Sequence, residues 1–165
     1  MKPLNEALVQ DRILEIVVYL MSQISDQQGN LGSLDEMSAD LKSMGFTENE
    51  ISSAYNWILK HFEDYPDSFA ESAREAGKRS FRILSDQERK IISPNAFGYL
   101  LQLRHLGLMT TEQMEMIIDR CTLFDAEPID IEDIKLLASA TMFENGLSDM
   151  PYGVWIGDPE DEPVN

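Results

Sequence analysis

Side chains able to do covalent or metal chemistry are few in this chain and stand far apart. The two histidines, His61 and His105, fall on separate helical stretches, and neither has a neighbour at the spacing a metal site requires. His61 lies near a helix C-terminus, a position the helix dipole favours for imidazole. The single cysteine, Cys121, falls on the apolar side of a helical repeat and reads as a small core residue rather than a nucleophile. No Gly-x-Ser-x-Gly elbow, phosphate-cradling glycine loop or His-Glu-x-x-His pair occurs. Asp130, Glu132 and Asp133 gather carboxylates, but all three belong to the first turn of a helix, where the dipole stabilises acids. No Asp-x-Asp-x-Asp-Gly loop accompanies them. Arg104 and Arg120 would join a carboxylate cleft only through tertiary folding that spacing does not reveal. The expectation is a protein with no catalytic residue, no metal and no cofactor.

The residues suited to contact rather than reaction lie between Ser33 and Phe62. Ser33 with Glu36, and Thr47 with Glu50, have the spacing of capping boxes, in which hydroxyl and carboxylate satisfy amides that a helix start leaves unpaired. Gly45 stands where the first helix must stop, since a left-handed residue there is easiest for glycine. Leu34, Met37, Leu41 and Met44 share one face of the first helix; Ile51, Ala54, Tyr55, Ile58, Leu59 and Phe62 share one face of the second. Phe46, in the Gly-Phe-Thr turn, plugs the corner between them.

Three readings fit this unit. One is an ordinary helical corner. A second is a ubiquitin-associated-like module, whose Met-Gly-Phe loop Met44-Gly45-Phe46 resembles. A third is a DNA-binding helix-turn-helix with 48–61 as recognition helix. The third suffers from composition: Glu48, Asn49, Glu50, Ser52, Ser53 and Asn56 face the groove with Lys60 as the one cation. Trp57 falls off the main stripe. It is either an exposed interface anchor beside Tyr55 or a side chain packed on the first helix or the second half of the chain.

Composition narrows the class of partner. Among 165 residues there are 30 acids against 13 Lys and Arg, for a net charge of −17. Nucleic acid and anionic membrane are polyanions and would be repelled, whereas a basic protein partner would be attracted. Six of the thirteen cations, Arg74, Lys78, Arg79, Arg82, Arg89 and Lys90, gather in one stretch. They form either an anion-contacting patch or a solvated linker that offsets its acidic neighbours. One cysteine excludes an internal disulfide and fits a reducing compartment. With no run of 18 apolar residues and no apolar signal core, the expected location is the cytoplasm.

Elements follow from periodicity and punctuation. Ile13, Ile16, Val17, Leu20 and Ile24 predict a helix over 11–24, and the turn formers of 25–32 end it. Residues 63–80 sustain no apolar stripe and read as a linker, with a short helix near 67–75. Phe81-Arg82-Ile83-Leu84 alternates as a short strand or extended segment would. Ser85 and Glu88 box a short helix to Ile92, and Ser93 with Pro94 opens a helix over about 94–106. Thr110 and Gln113 box a helix over 111–122, and Asp130 caps another over about 131–143. Residues 145–165 form an acidic tail. The chain is therefore read as mostly α: helical parts at 1–62 and 81–144, a linker at 63–80, and at most one short strand segment.

The order of segments resembles the Smg family of bacterial proteins. The likeness runs over about 11–144. It is carried by Ile13 to Leu20 and by Leu41 to Ile51 leading to Ala54 and Trp57. It continues in Phe81 to Ser85 with Gln87-Glu88, and in Gly98-Tyr99-Leu100, Leu103, Gly107, Met116 to Arg120 and Glu132 to Lys135. Met44, where the family often has a smaller residue, and the acidic tail depart from it. The resemblance implies a small soluble protein of unassigned function, without catalytic residues to carry over, often encoded near a DNA-processing protein. The reading that emerges is a non-enzymatic interaction module contacting a protein partner through Met44, Gly45 and Phe46 with Tyr55 and Trp57. The alternative is a nucleic-acid-associated regulator using the helix-turn-helix shape and the basic 74–90 stretch. Oligomeric state does not follow from either.

Overall fold

Helices form where the boxes and stripes place them. The computed structural model describes residues 4–26, 33–64, 66–67, 82–123 and 128–143. Among these are seven helices: α1 (Leu4–Asp26), α2 (Leu34–Ser43), α3 (Glu48–Asp64), α4 (Asp86–Ile91), α5 (Pro94–His105), α6 (Thr111–Leu123) and α7 (Ile131–Phe143). Of the expected 63–80 linker, Glu63 and Asp64 belong to α3 and 66–67 form a turn. Residue 65, residues 68–80 with nearly all of the expected 67–75 helix, and the acidic tail lie outside the described residues.

The boxes at Thr47, Ser85 and Thr110 are reciprocal. Each hydroxyl accepts from the third amide on, and that residue's side chain accepts from the cap amide. At the start of α7 the pattern is one-sided: Asp133 Oδ2 accepts from the Asp130 amide at 3.0 Å, while Asp130 Oδ1 accepts from the Ile131 amide at 2.7 Å. Both Gly45 (φ 94°) and Gly107 (φ 73°) occupy the left-handed region and close Schellman turns. In the first, Phe46 N–H bonds Leu41 O and Gly45 N–H bonds Lys42 O; in the second, Leu108 bonds Leu103 and Gly107 bonds Arg104.

Helix α1 is the centre of the packing. It lies against α3 and α7; α7 also meets α5 and α6, and α4 rests on α6. Two such neighbours explain why Ile13, Leu14, Ile16, Val17, Leu20 and Met21 are all buried, a stripe wider than one helix contact requires. These residues, with Leu41, Ile51, Ala54 and Ile58 from the N-terminal part and Leu100, Leu103, Ile117, Ile118, Ile134 and Ala138 from the C-terminal part, make one continuous cluster. Lys135 of α7 bonds Glu132 at 3.0 Å and reaches Glu15 of α1 at 3.4 Å.

Four details differ from the periodicity. Helix α1 begins well before residue 11: Glu6, Ala7 and Leu8 are good helix formers that lie beyond the apolar stripe. No strand forms among the described residues of 82–85; Leu84 is buried and Ile83 is 72% exposed, but the segment finds no ladder. The isolated bridge lies elsewhere, parallel between Ile92 and Ile129. Leu34, Met44 and Leu59, placed inward by spacing, are 49, 60 and 69% exposed.

Trp57 is the fourth. It is buried rather than an exposed anchor, because the second half of the chain covers that flank of α3. Its ring stacks on His61 (centroids 4.7 Å apart) and meets Phe143 of α7 edge-on at 5.3 Å. His61 Nε2–H donates to the carbonyl of Gly107 at 2.9 Å, tying α3 to the turn after α5. Burial pushes the imidazole pKa below its ordinary value, against the opposing pull of that carbonyl. Trp57→Ala is expected to cost about 3–5 kcal/mol in a urea titration followed by far-UV circular dichroism. A loss under about 1 kcal/mol would mean that the ring is not part of the core.

Candidate functional site

The α2–α3 corner is built from its backbone outward. The Schellman turn reverses α2 at Gly45, where a Cβ would meet only open space and the positive φ is the constraint. Thr47 then starts α3, and the carboxylate of Glu50 turns back over it. Glu50 Oε2 accepts from Thr47 N–H at 2.8 Å and from Thr47 Oγ1 at 3.0 Å. That much the box spacing anticipates.

What it does not anticipate is Arg12. Its guanidinium reaches across from α1 to Glu50, with Nε to Oε1 at 2.5 Å and Nη2 to Oε2 at 3.1 Å. Nη2 also donates to the carbonyl of Gly45 at 3.0 Å, and the cation lies 5.0 Å from the centre of the Phe46 ring. One side chain thus grips the start of α3, the end of α2 and the turn between them. Glu50 is only 5% exposed. Burial alone would raise its pKa, but the bonds from Arg12 and Thr47 outweigh this and hold it below the usual glutamate range. No local pattern reveals the pair, since Arg12 and Glu50 are 38 residues apart.

The expected contact residues divide. Met44, Gly45 and Phe46 are brought together at the corner: Met44 projects, Gly45 is exposed, and Phe46 is half-buried under Arg12. Tyr55 is half-buried against the core, its hydroxyl enclosed without a partner among the described residues. Trp57 stands inside the protein, as described. Along α2, Glu36, Asp40 and Met44 follow one another at intervals of four and are all exposed, so they form one edge. Like charges at that interval destabilise a helix by about 0.2–0.5 kcal/mol. Asp40 accepts from the Tyr19 hydroxyl at 3.4 Å, and neither Glu36 nor Asp40 has an ion pair among the described residues.

Of the basic stretch, Arg82, Arg89 and Lys90 are described: Arg82 is partly buried, and Arg89 and Lys90 are exposed. Arg82 is held by two carboxylates, Glu88 (Nη1 to Oε2, 2.7 Å) and Glu115 (Nε to Oε1, 3.0 Å). Arg89 Nε donates to the carbonyl of Leu84 at 2.9 Å. Lys90 borders a concavity of about 460 Å³ between α4 and α6, with Glu88 and Asp119 also in its wall, so the lining is mixed in charge. Arg74, Lys78 and Arg79 lie outside the described residues.

The reactive candidates remain apart. Cys121 is fully buried, and burial pushes its thiol up to about 11, leaving it protonated near neutrality. His105 is exposed at the end of α5. Asp130 and Asp133 cap α7, while Glu132 pairs with Lys135. Among the described residues no group of three or more His, Cys, Asp or Glu is placed to hold a metal ion. Nor is any described helix long and apolar enough to cross a membrane.

A family model described as "Protein of unknown function (DUF494)" matches residues 13–154. A protein called Smg from Sodalis glossinidius is 32% identical over 110 residues, 66% of this chain and 69% of its own. The chain belongs to the Smg family. A Smg homologue from Halorhodospira halophila is 24% identical over 82% of this chain and 84% of its own. The Smg of Salmonella newport is 28% identical over 79% of this chain and 84% of its own. No solved structure matches the chain. The family description assigns no reaction, so any functional reading of this Smg-family chain rests on its own geometry.

The Arg82 cluster gives a pH test. Hydrogen bonds from Arg82 pull the Glu88 carboxyl down to about 2, with the Ser85 cap assisting against burial. Its contribution to stability is complete above the ordinary glutamate pKa near 4.5 and disappears as pH falls from there toward 2. Glu88→Gln is expected to lower the urea midpoint at pH 7 and to leave a smaller further drop at pH 3 than the wild type suffers. Equal drops in both proteins would show that Glu88 is not held by Arg82.

Proposed function

We propose that this Smg-family protein is a non-enzymatic interaction module that docks a protein partner through the α2–α3 corner. The observation that carries the reading is the combination at Met44. Its side chain is 60% exposed while the turn beneath it is fixed by a buried, four-bonded carboxylate. A flexible thioether suits an apolar contact surface, and a backbone already held in place loses little freedom on binding. The dispersed reactive side chains favour contact over catalysis. A cytoplasmic setting suits the single, buried cysteine.

The nucleic-acid alternative has less behind it. The outer side of α3 offers Glu48, Asn49, Ser52 and Asn56, and Arg82 is already occupied by two carboxylates. Phosphate contacts need cations free to release counterions.

Met44→Ser tests the reading more cleanly than a change at Phe46, which supports Arg12. Tagged wild type and variant would be compared by crosslinking capture from bacterial lysate, with the urea midpoint confirming an unchanged fold. The variant is expected to lose at least one partner retained by the wild type, with affinity reduced about tenfold or more. Equal recovery of every captured protein would contradict docking through this corner.

A further inference from the structure

The edge of α2 that leads to Met44 carries charge as well as an apolar end. Glu36, Asp40 and Met44 stand one helical turn apart on the exposed side, and Leu34, 49% exposed, lies at the start of the same helix. The nearby cations are engaged elsewhere: Lys42 pairs with Glu48, and Arg12 is held in the Glu50 clamp. Residues 33–64 contain seven acids and two lysines, within a chain whose net charge is −17. An edge of repeated, uncompensated acids ending in an exposed methionine lacks its electrostatic complement.

From the docking reading above, on which this rests, we infer that the partner presents a basic amphipathic helix. An apolar residue of that helix covers Met44, and Lys or Arg one and two turns away meets Asp40 and Glu36. The matching interval is that of i, i+4 neighbours on a helix, so a helical segment places both kinds of group on one face. A second copy of this chain does not fit, because it would bring the same acidic edge and the same negative charge. Nucleic acid fails for the same reason. A metal ion is not the complement either, since no described cluster of ligands gathers there. The field of the whole protein speeds encounter with a cation, and the corner supplies the specific contact.

A library of random 16-residue peptides, panned at low salt against the full-length protein and counter-selected on Met44→Ser, tests this directly. Selected peptides would be synthesised, mapped by amide chemical shifts on the full chain and titrated by fluorescence anisotropy. The expected winners carry Lys or Arg at helical spacing beside an apolar residue and perturb amides of residues 34–48. Their Kd is expected to rise about tenfold between 50 and 500 mM salt, and at least about fivefold in Glu36→Gln/Asp40→Asn. Winners that map to the corner but are neutral or acidic, or ignore both salt and the double substitution, would overturn the basic partner and leave corner docking standing. If no selected peptide maps to residues 34–48, both fall.

Discussion

The ion pair between Arg12 and Glu50 is the contact on which the N-terminal part of the protein turns. An exposed pair of this kind contributes little, because water screens it and two long side chains must be ordered. Here one partner is almost wholly buried and both its oxygens accept hydrogen bonds, so removing the arginine would strand a carboxylate in a poor environment. The pair also converts three local features, a helix end, a turn and a helix start, into one unit anchored on α1. The Gly45 carbonyl and the Phe46 ring are held by the same guanidinium, so the position of Met44 depends on a residue in another helix.

That anchoring works because α1 is itself fixed. Its broad apolar stripe is covered by α3 on one side and α7 on the other, and Lys135 adds a polar tie from α7. Helices from the N-terminal and C-terminal ends of the chain therefore share one core. Trp57, His61 and Phe143 join α3 to the end of α7, and the His61 bond to Gly107 uses a carbonyl that the Schellman turn leaves available. Burial pushes that imidazole's pKa down, while the bond to the carbonyl pulls it the other way.

Helix positions were legible in the sequence because caps and stripes are local. Thr47, Ser85 and Thr110 each signalled a start that the backbone adopts, and Gly45 and Gly107 signalled ends. Burial was less legible where it depends on which neighbour arrives. Leu34 and Leu59 have the right phase for a core but are exposed, with no described element over them; Trp57 has the wrong phase and is covered. The alternation at 81–84 allowed a short strand or an extended segment; a strand needs a partner, none forms among the described residues 82–85, and the isolated bridge joins Ile92 and Ile129. At the candidate corner, Met44, Gly45 and Phe46 were visible as a turn. The clamp was not, because an arginine on a solvent-facing flank of α1 looks the same whether or not a carboxylate 38 residues away folds against it.

Arg12 and Glu50 act together to fix the corner. A double-mutant cycle with Arg12→Ala, Glu50→Gln and the double variant, read by urea unfolding at pH 7, measures that coupling directly. Because the Arg12 side chain is 44% exposed, the expected coupling is about 1–2 kcal/mol, below that of a fully buried pair. A coupling under about 0.5 kcal/mol, within the range of independent sites, would contradict it.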